Sequence, residues 1–206
     1  MMTLKLFHSP ASPFVRKVLV CAHEKGVADQ VELLTSKAWP VKRDPEIVRE
    51  NPSGQVPSAI LEDGSPLFDS RVICAYVDTL SASVPLVPSD RRTCFASMTL
   101  EALADTMLGA ALLCRYEAVL RPAEFYWDLW HDSQMEKVDS GLDDLEARWM
   151  EQLEGPVSIG SIAAACALGY LDFRFAEKDW RSGREALAAW YDVFKLRPSM
   201  QATWPE

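Results

Sequence analysis

The chain has 206 residues, 49% of them hydrophobic and 25% charged, with a formal net charge of −9. That length suits one large domain or two small ones, each with a core of its own. The acidic balance disfavours nucleic acid as a partner but leaves room for an anionic ligand, because a site can be positive inside a negative protein. No apolar run reaches the roughly 18 residues that span a bilayer, and the opening "MMTLKLFHSP" lacks the basic and long apolar regions of a signal peptide. Cys21, Cys74, Cys94, Cys114 and Cys166 are scattered and form no CxxC pair, so reduced, packed thiols in a cytoplasm are expected. His8, His23 and His131 make no zinc-spaced pair with any of them, and no metal site is expected.

Residues 3–7, "TLKLF", alternate in polarity and run into a turn, which predicts a strand. The period then changes. In "PFVRKVLVCAHEKG" (13–26), Val15, Val18, Leu19 and Ala22 share one helical face, Pro13 suits the first helical position, and Lys25-Gly26 is a stop. "VELL" (31–34) is a second strand. Residues 36–55 are polar and broken by proline, with one short helix expected around 44–50. "SAIL" and "PLF" flank "EDGS" and predict a hairpin with Asp63-Gly64 at its turn. Residues 69–80 place Val72, Ile73, Tyr76, Val77 and Leu80 on one side of a helix.

"SASVPLVPSD" (81–90) reads as a linker, and the pattern beyond it is helical. Leu100, Leu103, Ala104, Met107, Leu108 and Ala111 form one stripe; Val138, Leu142, Leu145 and Trp149 form another. Residues 158–175 are almost wholly apolar and belong at the centre of a bundle, and Trp190 and Tyr191 mark a further helix. Residues 1–80 carry 9 Lys+Arg against 10 Asp+Glu, and residues 81–206 carry 12 against 20. The acidity therefore belongs to the helical half, and the first half can host an anion with little long-range repulsion.

Four stretches carry chemical information. In "SPASPFVRKV" (9–18) Ser12 is placed to cap the helix that Pro13 opens, and a helix start attracts anions through unpaired N–H groups and its dipole. In "NPSGQVPSAI" (51–60) a proline opens a strand, and in "FDSRVICAYV" (68–77) Asp69 or Ser70 caps a helix. In "SIGSIAAACALGYLDFR" (158–174) Ser158 and Ser161 stand at capping-box spacing. Together, in this order and on this pattern of elements, they resemble the cytosolic glutathione S-transferases of the bacterial, serine type, over essentially the whole chain.

The resemblance implies an α+β fold: a thioredoxin-like domain (β-α-β-α-β-β-α) over 1–80, a linker over 81–90, and an all-α helical bundle over 91–206. It implies glutathione as cosubstrate and Ser12 as the first candidate for the catalytic hydroxyl, with Ser9 the second. No cysteine lies in 9–14, which argues against a mixed-disulfide mechanism. By the same resemblance Val56-Pro57 is a cis bond whose Val56 backbone pairs with the cysteinyl backbone of glutathione. Asp69 takes the γ-glutamyl ammonium and Ser70 its carboxylate, although many relatives have the longer Glu or Gln in place of Asp69. Lys42, with Arg43 behind it, is the candidate for the glycyl carboxylate. Where the family usually has Asp at the third position of the central helix, this chain has Ser161.

The second substrate is expected to be a small, hydrophobic electrophile, with Phe14, Met107, Leu108, Leu112, Tyr116 and Trp204 as candidate walls. Relatives are usually homodimers, and Asp105 is a candidate to reach glutathione held by a second subunit. Neither a membrane nor a nucleic acid is expected as a partner. Three alternatives stay open: a glutathione-binding or partner-binding protein without turnover, a glutathione-dependent isomerase, and a peroxidase using the same thiolate. The SSC-type motif of one isomerase family is absent.

Overall fold

A computed structural model describes residues 4–205, which fall into two compact units: residues up to Val87 joined by those from Arg197 onward, and Pro88–Leu196. The first unit is built on strand β1 (Leu4–His8), whose Leu4, Leu6 and Phe7 are buried. Thr3, which the alternating pattern included, lies outside the described residues. β1 pairs in parallel with β2 (Val31–Thr35), Leu6 opposite Leu33, and antiparallel with β3 (Ser58–Ile60), Leu6 opposite Ala59. β3 pairs antiparallel with β4 (Pro66–Leu67), so the sheet order is β2-β1-β3-β4.

Helix α1 (Pro13–Glu24) buries Val15, Val18, Cys21 and Ala22, and it packs on α3 (Ser70–Thr79), which buries Ile73, Cys74 and Val77. Lys25 ends α1, and the chain leaves through Gly26 at φ 69°, a left-handed conformation that costs glycine little. The short α2 (Pro45–Glu50) starts from an Asp44 cap. This is the β-α-β-α-β-β-α order the sequence predicts.

The unit boundaries differ from the expected ones, for reasons visible in polar contacts. Residues 81–87 are not a free linker. The carboxylate of Asp78 accepts from Leu86 N (2.8 Å) and Val87 N (3.1 Å) and pairs with the buried Lys25 ammonium at 2.9 Å. Lys25 Nζ also donates to the carbonyls of Ser83 and Val84, both at 3.2 Å. Arg197 likewise returns to α1: its Nε and Nη2 hold the two oxygens of Glu24 at 2.8 and 2.7 Å, and Ser199 Oγ donates to the same carboxylate. Helix α9 (Pro198–Ala202) follows and packs on α1, burying Met200.

The second unit is helical: α4 (Arg91–Leu120), α5 (Asp128–Arg148), α6 (Met150–Leu153), α7 (Ile159–Arg174) and α8 (Glu185–Phe194). α4 packs against both α5 and α7, and every residue from Ile159 to Leu171 is buried. The capping box at its start is complete: Ser158 Oγ accepts from Ser161 N at 3.3 Å, and Ser161 Oγ accepts from Ser158 N at 2.9 Å. Gly160 lets α7 lie on α4, since a Cβ there would stand 2.7 Å from the Ser97 carbonyl oxygen. Of the expected stripes, Leu103 and Trp149 are only part-buried, and the Trp149 indole N–H donates to Asp144 at 2.9 Å.

Contrary to the expectation from apolar runs, α4 is long and apolar enough by length and composition to cross a membrane. Half of its most apolar stretch is buried in the bundle, which is the behaviour of a core helix.

Candidate functional site

The chain leaves β1 through His8 and turns so that Ser12 N donates to Ser9 O at 3.0 Å. Ser12 is the N-cap of α1, extended at φ −78° and ψ 119°, and its Oγ accepts from Val15 N at 3.3 Å. Accepting uses a lone pair of the hydroxyl and leaves its O–H to donate elsewhere. Capping and donation to an incoming anion are therefore compatible in one side chain. The Ser9 hydroxyl, also part-buried, has no hydrogen-bond partner among the described residues.

The Val56-Pro57 bond is cis, and so is Phe68-Asp69. The loop before Val56 is braced by Asn51, which is buried. Its Nδ2 donates to Ser58 Oγ at 2.8 Å and to Gln55 O at 3.4 Å, while its Oδ1 accepts from Ser53 N at 3.0 Å. Ser58 Oγ donates onward to Gln55 O at 2.7 Å. Asn51 was not singled out from the sequence; its place five residues before Val56-Pro57, in a Pro- and Gly-rich stretch, was the available signal.

Asp69 caps α3, its Oδ1 accepting from Arg71 N at 3.0 Å and its Oδ2 lying 3.4 Å from Arg71 Nη2. Both side chains are more than half exposed, so this pair is weak and leaves Asp69 available to a second cation. Ser70 is buried, and its hydroxyl has no partner among the described residues. Lys42 is exposed; its backbone forms a bridge with Trp39, and its ammonium has no partner among the described residues. Arg43 is engaged, its Nη2 donating to Pro52 O.

Of the expected walls for an electrophile, Phe14, Leu112 and Tyr116 are part-buried. Met107 and Leu108 are not walls: they are 2% and 1% exposed, and Met107 fills the space above Gly141, where a Cβ would meet its Cγ at 2.5 Å. Trp204 is 45% exposed, and its ring lies 4.8 Å from the guanidinium carbon of Arg16. Arg16, one turn along α1 from Ser12, is buried and was not foreseen. Its Nη2 donates to Met200 O at 3.1 Å, while Nε and Nη1 have no hydrogen-bond partner among the described residues.

Comparison with known proteins decides the family. The glutathione S-transferase N-terminal domain matches residues 11–80, and the C-terminal domain of the same family matches 128–193. The uncharacterized GST-like protein YibF of Escherichia coli (strain K12) is 32% identical over 204 residues, 98% of each chain. The chain belongs to the glutathione S-transferase family. A glutathione transferase family member from Pseudomonas fluorescens Pf-5, solved with bound glutathione, is 44% identical with a TM-score of 0.97, covering 99% of this chain and 100% of that one. A second structure from that organism, holding S-(propanoic acid)-glutathione, is 43% identical with a TM-score of 0.92 over the same coverage. A glutathione S-transferase from Methylobacillus flagellatus with glutathione bound is 33% identical, with a TM-score of 0.85, covering 99% and 100%. Glutathione is the cosubstrate of this family, and the transferase fold accounts for both units of the present chain.

Proposed function

We propose that this protein is a serine-type glutathione transferase that holds the thiol of glutathione as thiolate and adds it to a small, hydrophobic electrophile. Ser12 carries the reading: its oxygen caps α1 while its hydrogen stays free for the sulfur. Val56 aligns the tripeptide backbone, Asp69 and Ser70 hold the γ-glutamyl end, and Lys42 rather than the engaged Arg43 meets the glycyl carboxylate. Glutathione bound in the relatives at 44% and 33% identity supports the assignment of the cosubstrate. A cytoplasmic homodimer is part of this reading.

The energetics are adequate. A thiol of pKa about 8.5 is mostly protonated at neutral pH, and each unit of depression needs about 1.4 kcal/mol of preference for the anion. A helix start supplies about 0.3–1 kcal/mol and a hydrogen bond to a charged acceptor about 1.5–3 kcal/mol, enough for one to two units. The buried Arg16 adds a positive charge one turn from Ser12. The nucleophile belongs to the cosubstrate; the protein contributes its ionisation and its position.

The test is titration of bound glutathione by the ultraviolet absorbance of its thiolate, with Ser12→Ala and Ser9→Ala compared for kcat/KM against a panel of electrophiles. Ser12→Ala should raise the thiol pKa by about one unit and cut kcat/KM at neutral pH about tenfold or more. Loss of activity in Ser9→Ala with Ser12→Ala intact would reassign the hydroxyl. Glutathione binding without turnover on any electrophile would make this a binding protein.

A further inference from the structure

The helical unit contains a cavity of about 300 Å³ that the glutathione reading does not use. Its walls come from the end of α4, the start of α5, and the end of α7 with the turn after it. One side is apolar, made by Ala118, Met135 and Phe175. The other carries three cations, Arg115, Arg174 and Lys178, against a single carboxylate, Glu177, in a chain whose helical half is strongly acidic.

The cations are not equivalent. Lys178 is neutralised by Asp139, 2.7 and 3.0 Å from its two oxygens. Arg115 and Arg174 have no carboxylate or hydrogen-bond partner among the described residues; the Arg174 guanidinium rests 3.9 Å from the centre of the Phe173 ring. Both arginines line the same cavity; burial and the neighbouring Tyr116 push the nearby Tyr170 hydroxyl up to about 12 against the opposing pull of Arg174 and Arg115. Glu177, the one carboxylate in the lining, forms no ion pair with either arginine among the described residues. Cys114 is a neutral thiol, pushed by burial up to about 11, and donates to His131 O at 3.4 Å; His131 Nδ1 faces Asp132 at 3.2 Å.

We propose that this cavity binds a short-chain monocarboxylate, its carboxylate between Arg115 and Arg174 and its chain against Ala118, Met135 and Phe175. Guanidinium matches a carboxylate in a planar, two-point bond. A neutral apolar ligand would leave the two arginines unmatched, and inorganic phosphate would leave the apolar side wet. A volume at the lower end of ligand pockets restricts the chain to a short one. The cavity is built from the helical unit alone, and the proposal does not rest on the proposed binding of glutathione.

Calorimetric titration of the full chain with hexanoate, 1-hexanol, hexylammonium and inorganic phosphate tests the proposal. Hexanoate should bind, hexanol about tenfold or more weakly by comparison, and the other two not measurably. Saturating glutathione should leave hexanoate binding unchanged. Arg115→Met and Arg174→Met should each weaken hexanoate about tenfold while retention on immobilised glutathione persists. The proposal is overturned if hexanoate does not bind, if phosphate or hexylammonium matches it, if glutathione displaces it, or if both variants bind it like the parent. Should a variant fail to fold, the four-ligand series on the unaltered protein still decides.

Discussion

Two glycines in the helical unit predict opposite outcomes for the same chemical change. At Gly109, in the middle of α4, an added Cβ meets nothing within 4 Å. Gly109→Ala should therefore gain the helix preference of alanine, about 0.5–1 kcal/mol. At Gly160 the added Cβ would stand 2.7 Å from the Ser97 carbonyl oxygen and 3.0 Å from Leu100 Cβ and Cδ2. The nearest obstacle is backbone, which cannot rotate away, so α7 must shift from α4 at an overpacking cost of about 1–3 kcal/mol. The shift also stretches the buried bond from Gly160 N to Ser97 Oγ, 3.2 Å long, for about another 1 kcal/mol. The helix gain offsets only part of this, leaving Gly160→Ala about 1–3 kcal/mol less stable than the parent. Urea unfolding followed by far-UV circular dichroism measures both variants. A Gly160→Ala midpoint at or above that of the parent, with Gly109→Ala stabilised as stated, would refute the close-packing argument.

Asp78→Ala leaves the buried Lys25 ammonium with only carbonyl partners and should cost about 3 kcal/mol in the urea unfolding of the first unit. Burial alone would raise the Asp78 carboxyl, but the N–H groups of Leu86 and Val87 and the Lys25 ammonium together hold it below its ordinary value. Its contribution is thus complete above the unfolded carboxylate value and fades as pH falls through the folded one. The urea midpoint should drop below about pH 4, and Asp78→Asn should flatten that dependence. Ser158→Ala removes an acceptor from the start of α7 and should lower stability by about 1 kcal/mol, read as a fall in melting temperature. Asn51→Ala frees the loop before Val56; a loss of about 1–3 kcal/mol, with weaker retention on immobilised glutathione, is expected, and unchanged retention would show that Asn51 does not position Val56.

The order of elements in the first unit was legible because each carries its own punctuation: Pro13 and Gly26 bracket α1, and Asp63-Gly64 marks the hairpin turn. The apolar run of α7 announced its burial, and the cis bond at Val56-Pro57 followed from the resemblance. What escaped depended on contacts distant in sequence. Arg16 reads as the polar face of a helix until Met200 and Trp204, more than 180 residues on, cover it. Met107 and Leu108 share the apolar pattern of any pocket wall, and only the glycine at 141 shows that Met107 is filling core space. Arg197–Glu206 carries no periodicity long enough to assign it, since α9 has only five residues. Nothing in residues 81–87 announced their attachment to Asp78, a bond made across 8 and 9 residues.

The return of Arg197 to Glu24 makes the helical unit an insertion within the first one. During synthesis α1 emerges before the bundle, whereas the partners that close over Arg16 and Glu24 emerge after it. The nascent sheet unit must wait, with a guanidinium and a carboxylate uncovered, until the whole bundle has been made. Completion of the sheet unit is thereby timed after the bundle, to the stretch that begins at Arg197.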